Sequence, residues 1–338
     1  GSELFACYAS GQADVYLYRA PSATNYWWNG GNGTNNTNNI WDLNTTRNWG
    51  ITTGATFAAN TAPGVVWPTS GSYNANFSNT VAGAQTVSLP AAISVMPSST
   101  IIGTTGYSFV PSVTQTFSSP VILDQTLTVA PATGTTFTMS GIVSSTGGLT
   151  QNDAGTTILS GVNTYTGATT INSGTLSISS IANGGSASNI GQSTNAVANL
   201  VLGGGTLQYT GSTASTDRAF TLTTGTTSTI DVTNALTISG AAANTTGALT
   251  KAGAGTLTLS GANLYTGTTT INAGTLALSG SGSIANSPTI TVGSGATFNV
   301  TALTTALTFS AGQKLSGSAT GSTTTGTITV ASGKGITL

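Results

Sequence analysis

The protein has 338 residues, a formal net charge of −1 and no histidine, and only 4% of its residues are charged, where soluble domains average about 25%. The lack of histidine excludes Ser-His-Asp triads and the usual zinc sites, and the single cysteine, Cys7, excludes a disulfide framework. The six basic residues are scattered, which argues against nucleic acid as a partner, and no apolar run is long enough to predict a membrane span. Thr, Val and Ile are common where the main helix formers are scarce, which predicts an all-β protein.

The N-terminal part differs in composition from the rest. All five tryptophans lie in the first 67 residues, and we predict that residues 1–110 form a Trp-rich cap or a set of irregular first coils. Within this region, Val15 and Leu17 belong to a stretch with high β propensity. We predict that this stretch is a strand that can be donated to a second copy of the chain.

An aromatic cluster is the best candidate for a binding surface. Its predicted members are Tyr26, Trp27, Trp28, Trp41 and Trp49. Aromatic side chains in such a cluster can stack on sugar rings, which predicts a carbohydrate or subunit contact. The alternative is that they form a hydrophobic plug over the open end of a solenoid. The residues alone leave both interpretations open.

The second region, residues 111–338, contains an internal repeat. Residues 149–176 and 249–276 are identical at 19 of 28 aligned positions, at an offset of 100 residues. Self-similarity of this kind marks stacked units that bury a continuous core only by piling up, so the repeat predicts a parallel β-solenoid. Coils of about 20–25 residues from residue 111 onward would give about ten turns, stacked at about 4.8 Å per turn.

Within each copy, short strands alternate with turns. Leu257 and Leu259 are two residues apart, which places both on one face of a strand. The first copy departs from this alternation at Thr157-Ile158, which predicts a local bulge there. Asp153 replaces Gly253 and is predicted to be a turn residue.

Two further features of the repeat region are predicted to be structural. Asn163 and Asn263 occupy equivalent turns, where their amides can bond to the backbone or stack between coils. Asp217 and Arg218 are expected to form a solvated pair on the surface.

The strand pattern continues to the last residue. Ile336 and Leu338 lie in a final strand-like stretch that we predict to be available for pairing with another subunit.

At the duplicated segments the sequence resembles the autotransporter-associated β-strand repeat family, also called the passenger-associated transport repeat. Residues 249–276 are similar nearly throughout to its signature, which reads Gly-Leu-Thr-Lys-x-Gly-x-Gly-Thr-Leu-x-Leu-Ser-Gly-x-Asn-x-Tyr-x-Gly-x-Thr-x-Ile-x-x-Gly-Thr-Leu. The Trp-rich opening also resembles that of such chains. The resemblance implies a right-handed parallel β-helix that is exposed on, or released from, a bacterial surface. Autotransporters end in a membrane β-barrel translocator that these 338 residues do not resemble, which implies either that this part was removed or that the chain is one of the stand-alone secreted relatives.

These observations predict a protein that is not an enzyme and has no cofactor or metal. Glycoside hydrolysis needs two facing carboxylates, and the seven in this chain are dispersed: Glu3, Asp14, Asp42, Asp124, Asp153, Asp217 and Asp231. The predicted function is an extracellular or cell-surface structural protein, self-assembling into fibres by end-to-end stacking or strand exchange, with other copies of itself as partners. The alternative is an adhesin or carbohydrate-binding passenger whose partners are surface glycans.

Overall fold

A computed structural model describes residues 107–318, 327–330 and 336–337, and seven strands before them. Side chains are described at Thr100, Ile102, 107–317 and 327–330. The strands are β1 (Leu4–Tyr8), β2 (Val15–Arg19), β3 (Asn25–Trp28), β4 (Trp49–Gly50), β5 (Asn74–Phe77), β6 (Gln85–Leu89), β7 (Ser99–Ile102), β8 (Tyr107–Pro111), β9 (Gln115–Phe117), β10 (Val121–Leu123), β11 (Leu127–Val129), β12 (Thr136–Met139), β13 (Val143–Ser144), β14 (Leu149–Gln151), β15 (Thr156–Leu159), β16 (Thr169–Ile171), β17 (Thr175–Ile178), β18 (Leu200–Leu202), β19 (Thr206–Tyr209), β20 (Ala214–Thr216), β21 (Thr221–Leu222), β22 (Thr227–Val232), β23 (Ala235–Ile238), β24 (Ala248–Ala252), β25 (Thr256–Leu259), β26 (Thr269–Ile271), β27 (Thr275–Gly280), β28 (Thr289–Gly293), β29 (Thr297–Leu303), β30 (Leu307–Thr308), β31 (Lys314–Ser318), β32 (Thr327–Thr329) and β33 (Ile336–Thr337).

The only helical element among the described residues is a 3₁₀ turn, Val197–Asn199. Accordingly, the described part of the chain has no helix with the length and apolarity that a membrane crossing needs. The all-β fold class is confirmed.

The strands stack into a parallel β-solenoid with three faces. The first face is the seven-stranded sheet β6-β8-β11-β14-β16-β18-β21, and the second is the ten-stranded sheet from β9 to β31. The third face consists of two six-stranded sheets, β4-β3-β5-β7-β10-β13 and β20-β23-β25-β27-β29-β32. Among the described strands, pairing is antiparallel only between β1 and β2 and between β3 and β4. Ten strands at about 4.8 Å spacing make a second face about 43 Å long.

Bridges without full strands fill the gaps between these sheets. On the third face, Asn163 pairs with Ser188 between β13 and β20. On the first face, bridges at Ala242 and Ala262 continue the stack from β21 to the last two-stranded sheet, β30-β33. Each coil therefore passes all three faces, and the predicted solenoid of about ten turns is confirmed.

The interior is a column of aligned apolar side chains. Residues alternate between inward and outward positions along each strand, so the buried ones stack in register on the next coil. On the second face, one inward row runs from Phe137 through Thr157, Leu176 and Leu207 to Ile230, with Thr157 as the polar member of these five. Burying one such side chain contributes about 1.5–3 kcal/mol, and the contacts pass without a break from coil to coil.

The two repeat copies lie on different faces. The first copy puts β14 and β16 on the first face and β15 and β17 on the second. The second copy puts β24 and β26 on the second face and β25 and β27 on the third. The 100 residues between equivalent positions thus cover four full coils plus one face, and the second copy is turned by about one third of a turn.

The predicted bulge at Thr157-Ile158 is wrong. Strand β15 pairs with β12 and β17 residue by residue, with no shift in register. Thr157 points inward and is fully buried, and Ile158 faces outward. The strand keeps its alternation because a buried hydrogen-bond partner, described below, satisfies the Thr157 hydroxyl. Asp153 is a turn residue as predicted, with a φ of 73° that matches the 75° of Gly253.

Candidate functional site

The backbones of four aromatic residues come together at one end of the third face. Strand β3, which carries Tyr26, Trp27 and Trp28, lies between β4 and β5. Trp28 pairs with Trp49 across the antiparallel β3–β4 ladder. Trp41 lies outside the described residues, and the side chains of the other four are not among those described. Sugar stacking and end capping therefore both stay predictions.

The predicted assembly strands pair within this chain. Val15 and Leu17 lie on β2, which pairs with β1 in a two-stranded sheet. Ile336 lies on β33 and pairs with Leu307 on β30. Leu338 lies outside the described residues. Among the described strands, neither β2 nor β33 has a second partner, and the exchange of strands between copies stays a prediction.

The predicted division at residue 110 also stays a prediction. Strands from both sides of it share sheets, since β7 pairs with β10 and β6 pairs with β8.

An asparagine ties three coils together in each repeat copy. The Asn163 side-chain oxygen accepts a hydrogen bond from Val143 N (2.8 Å) on the preceding coil, and its amide donates to Asn189 O (2.6 Å) on the following coil. Asn263 does the same between Ala242 N (2.9 Å) and Ser283 O (3.2 Å). The predicted bonding of these amides to the backbone is confirmed. In both copies the asparagine side chain adds to an isolated backbone bridge on the one face where the coil has no strand.

A buried tyrosine follows each asparagine by two residues. The hydroxyl groups of Tyr165 and Thr169 are 2.6 Å apart, and those of Tyr265 and Thr269 are 2.7 Å apart. Thr269 continues the chain to the Ser287 hydroxyl at 2.9 Å. Burial raises the pKa of both tyrosines, which therefore stay neutral and act as packing residues with one satisfied hydroxyl.

The two copies fill the same turn with different buried polar groups. Gln151 donates to Gly155 O (3.2 Å) and accepts from the Thr157 hydroxyl (2.5 Å). In the second copy the equivalent residue is Lys251, whose ammonium donates to Gly253 O (2.8 Å) and to Ala273 O (3.2 Å) on the next coil. Burial lowers the pKa of Lys251 to about 8, while the charge of Asp231 acts in the opposite direction.

The expectation for Arg218 is wrong. Its side chain is 1% exposed, and all its described hydrogen bonds go to oxygens of residues 179–199 and not to solvent. The sequence does indicate this burial. Side chains two residues apart on a strand share a face, and the inward face here carries Thr216, Arg218, Phe220 and Leu222. Asp217 lies between two of these positions and is partly exposed.

The hydrogen bonds of these buried polar groups hold the turns of each coil and connect neighbouring coils, which is a structural role. Among the described residues, no three Asp, Glu or Cys side chains gather into a group that could hold a metal ion. Of the buried side-chain polar atoms in the same part of the chain, Thr100 Oγ1 alone has no hydrogen-bond partner. The expectations of no catalysis, no metal and no cofactor stay predictions.

Comparison with known proteins identifies the repeats. The model of the passenger-associated-transport-repeat family matches residues 149–178 and 249–278, which confirms the resemblance seen in the sequence. A curated protein named Adhesin BmaC autotransporter, from Brucella suis biovar 1 (strain 1330), is 54% identical over 68 residues. That match covers 20% of this chain and 2% of the length of the relative. No solved structure shows a significant match.

Proposed function

We propose that this chain, a parallel β-solenoid carrying two passenger-associated transport repeats, is a structural rod within a surface-exposed or secreted passenger. The observation that carries the proposal is the continuous buried core of the solenoid, whose asparagine corners are tied from coil to coil. Such a stack transmits force and holds a shape over a length set by the number of coils.

The rod is proposed to self-associate. A net charge of −1 provides little electrostatic repulsion between copies. Among the described strands, β9 and β31 end the ten-stranded sheet, and the end of a sheet presents backbone groups that another strand can pair with.

Electron microscopy and sedimentation over a concentration series test this proposal. We expect the mean particle mass to increase with concentration and rods to join into filaments. A single monomeric species at the highest concentration would contradict self-association.

A second function, adhesion, is favoured by the name of the curated relative, an autotransporter adhesin. In this form of the proposal, the Trp-rich end contacts surface glycans. Replacing Trp27 and Trp28 with leucine should then abolish binding to glycan-coated surfaces while the circular dichroism spectrum stays that of the parent. Persistent binding, or collapse of the whole solenoid, would contradict a binding role for this end.

A further inference from the structure

One coil carries extra residues around its passage of the third face. Residues 179–199 connect β17 to β18 and are here named the flank loop. The equivalent connection after the second copy, from β27 to β28, consists of residues 281–288 only. The flank loop has 21 residues and its counterpart has eight, so the flank loop is 13 residues longer. The flank loop contains the Ser188 bridge and the 3₁₀ turn Val197–Asn199, and its remaining residues form an irregular surface segment of the kind that often carries function.

Arg218 holds the flank loop from the next coil. Its Nε donates to Ala182 O at 3.0 Å. One terminal nitrogen donates to both oxygens of Ser193, the carbonyl at 3.1 Å and the hydroxyl at 2.8 Å. The other donates to Ser186 O at 3.3 Å and to Gly191 O at 2.9 Å. A single guanidinium thus joins both arms of the loop.

This arrangement is energetically costly. All five bonds of Arg218 end on uncharged oxygens, and burial lowers the pKa of the guanidinium. Taking a charge out of water without a paired opposite charge is unfavourable, so the bonds offset a large desolvation penalty. A polar ligand gains little binding free energy from each contact. A binding surface with a fixed shape suits such a ligand, because a preorganised surface loses little entropy on binding.

Asp217 holds the outer rim of the same loop. Its carboxylate accepts from Gly184 N at 2.7 Å and from the Asn195 amide at 3.4 Å. Its own backbone N–H donates to the Asn183 side-chain oxygen at 3.0 Å. Asn183 and Asn195 are exposed. A carboxylate has about four lone-pair positions, and these contacts use two of them, so Asp217 can still accept hydrogen bonds from a ligand.

We propose that the rim formed by Asn183, Asn195 and Asp217 binds a neutral, polyhydroxylated ligand, namely a carbohydrate chain. Amides donate to and accept from hydroxyl groups, and a carboxylate accepts from them. None of the three residues carries the positive charge that an acidic ligand would pair with. Val197 is the one large apolar side chain exposed among the described residues of the flank loop, which is too little for the apolar centre of a protein interface.

This inference deepens the adhesive function proposed above and rests on it, but it places the site on the flank of the rod and not at the Trp-rich end. The matched control is Asn286, an exposed asparagine in the short connection after the second copy, whose amide donates to Leu264 O at 3.3 Å. Both Asn195 and Asn286 lie outside the core, so their alanine variants should fold alike.

The experiment measures binding to immobilised mannan, galactan and dextran, with hyaluronan as the acidic comparison. We expect the parent protein to bind at least one neutral polysaccharide more tightly than hyaluronan. The variants Asp217→Asn and Asn195→Ala should weaken that binding at least about tenfold, and Asn286→Ala should leave it unchanged. Circular dichroism and melting curves check that each variant is folded. If Asp217→Asn does not fold, the binding measured for Asn195→Ala tests the proposal.

Three results would overturn the proposal. They are a parent protein that binds none of the neutral polysaccharides, binding that survives Asn195→Ala, and binding that all three variants weaken equally. If binding depends instead on Trp27 and Trp28, the flank-loop site is wrong while the adhesive function stands. A parent that binds no glycan-coated surface contradicts both.

Discussion

The two repeat copies share most of their residues, yet the solenoid uses them in different surroundings. The strands of residues 149–178 lie on the first and second faces, with Asn163 on the third, and the copy leads into the flank loop. The strands of residues 249–278 lie on the second and third faces, with Ala262 on the first, and the copy leads into a short connection. The same asparagine and tyrosine form the corner in both. The motif therefore encodes a coil and its ties to the neighbouring coils, and not a place on a particular face.

The copies also show how one position constrains another. Lys251 occurs with Leu257, whereas Gln151 occurs with Thr157, and all four side chains are fully buried. The lysine finds its acceptors among the carbonyls of two successive coils, so its neighbour at 257 can be apolar. The glutamine needs the Thr157 hydroxyl as a partner. Each pair satisfies its own polar atoms, and a mixture of the two would not.

The largest effect is expected from breaking a pair. Leu257→Thr removes buried apolar volume and introduces a hydroxyl that the Lys251 ammonium cannot serve, because its three N–H groups already donate to the carbonyl oxygens of Ala252, Gly253 and Ala273. We expect a loss of about 3 kcal/mol in the free energy of unfolding, measured by denaturant titration. The double variant Lys251→Gln/Leu257→Thr recreates the first copy's pair and should recover at least about 1 kcal/mol. Additive effects of the two changes would contradict the pairing.

The corner asparagines come next. Asn263→Ala leaves Ala242 N without its acceptor in a buried place and removes the link to Ser283. A buried unpaired donor costs about 1–3 kcal/mol, and we expect about 2 kcal/mol here. Asn163→Ala should cost about as much, because its contacts match. The same denaturant titration measures both, and a loss confined to one copy would show that the corners are not equivalent.

The tyrosine hydroxyls should contribute less. Tyr265→Phe keeps the packing and removes one hydrogen bond to Thr269, which keeps Ser287 as its other partner. We expect a decrease of about 1 kcal/mol, again from unfolding curves. Tyr265→Ala is the control for packing and should cost several times more. Equal effects from the two variants would contradict a role divided between ring and hydroxyl.

The last prediction is a pH dependence specific to the second copy. The pKa of Lys251 is about 8 in the folded protein and about 10.4 in an unfolded chain. Between these values the unfolded state binds more protons, so the free energy of unfolding should increase as pH rises from about 8 to about 10.4. Lys251→Met should abolish the increase, whereas Gln151→Met should keep it. Unfolding curves at pH 7.5, 9 and 10.5 measure the difference, and a decrease in the parent over this range would contradict the lowered pKa.

Much of this architecture can be predicted from the sequence. The 100-residue duplication indicates a stack of coils, and the replacement of Gly253 by Asp153 indicates a turn that both residues can form. The rotation between the copies cannot be predicted, because it depends on how many faces the intervening chain crosses, and the corners at Asn163 and Ala242 have no strand pattern. The bulge was predicted because alternation was judged by polarity, and a buried hydroxyl with a partner looks the same in sequence as an exposed one. The alternation from Thr216 to Leu222 indicates an inward Arg218, but the oxygens that satisfy its charge lie in residues 179–199, which a local sequence pattern does not show.

The central claim is that the solenoid places the second copy one face further round than the first. It is tested most directly by disulfide trapping in a Cys7→Ser background. Thr229 and Thr250 are register partners on neighbouring strands, at a spacing that suits a disulfide. The variant Thr229→Cys/Thr250→Cys should therefore cross-link under mild oxidation, and Thr221→Cys/Thr250→Cys should not. Cross-linking of the second pair and not the first would place residue 250 on the first face, as its counterpart Thr150 is, and would contradict the rotation.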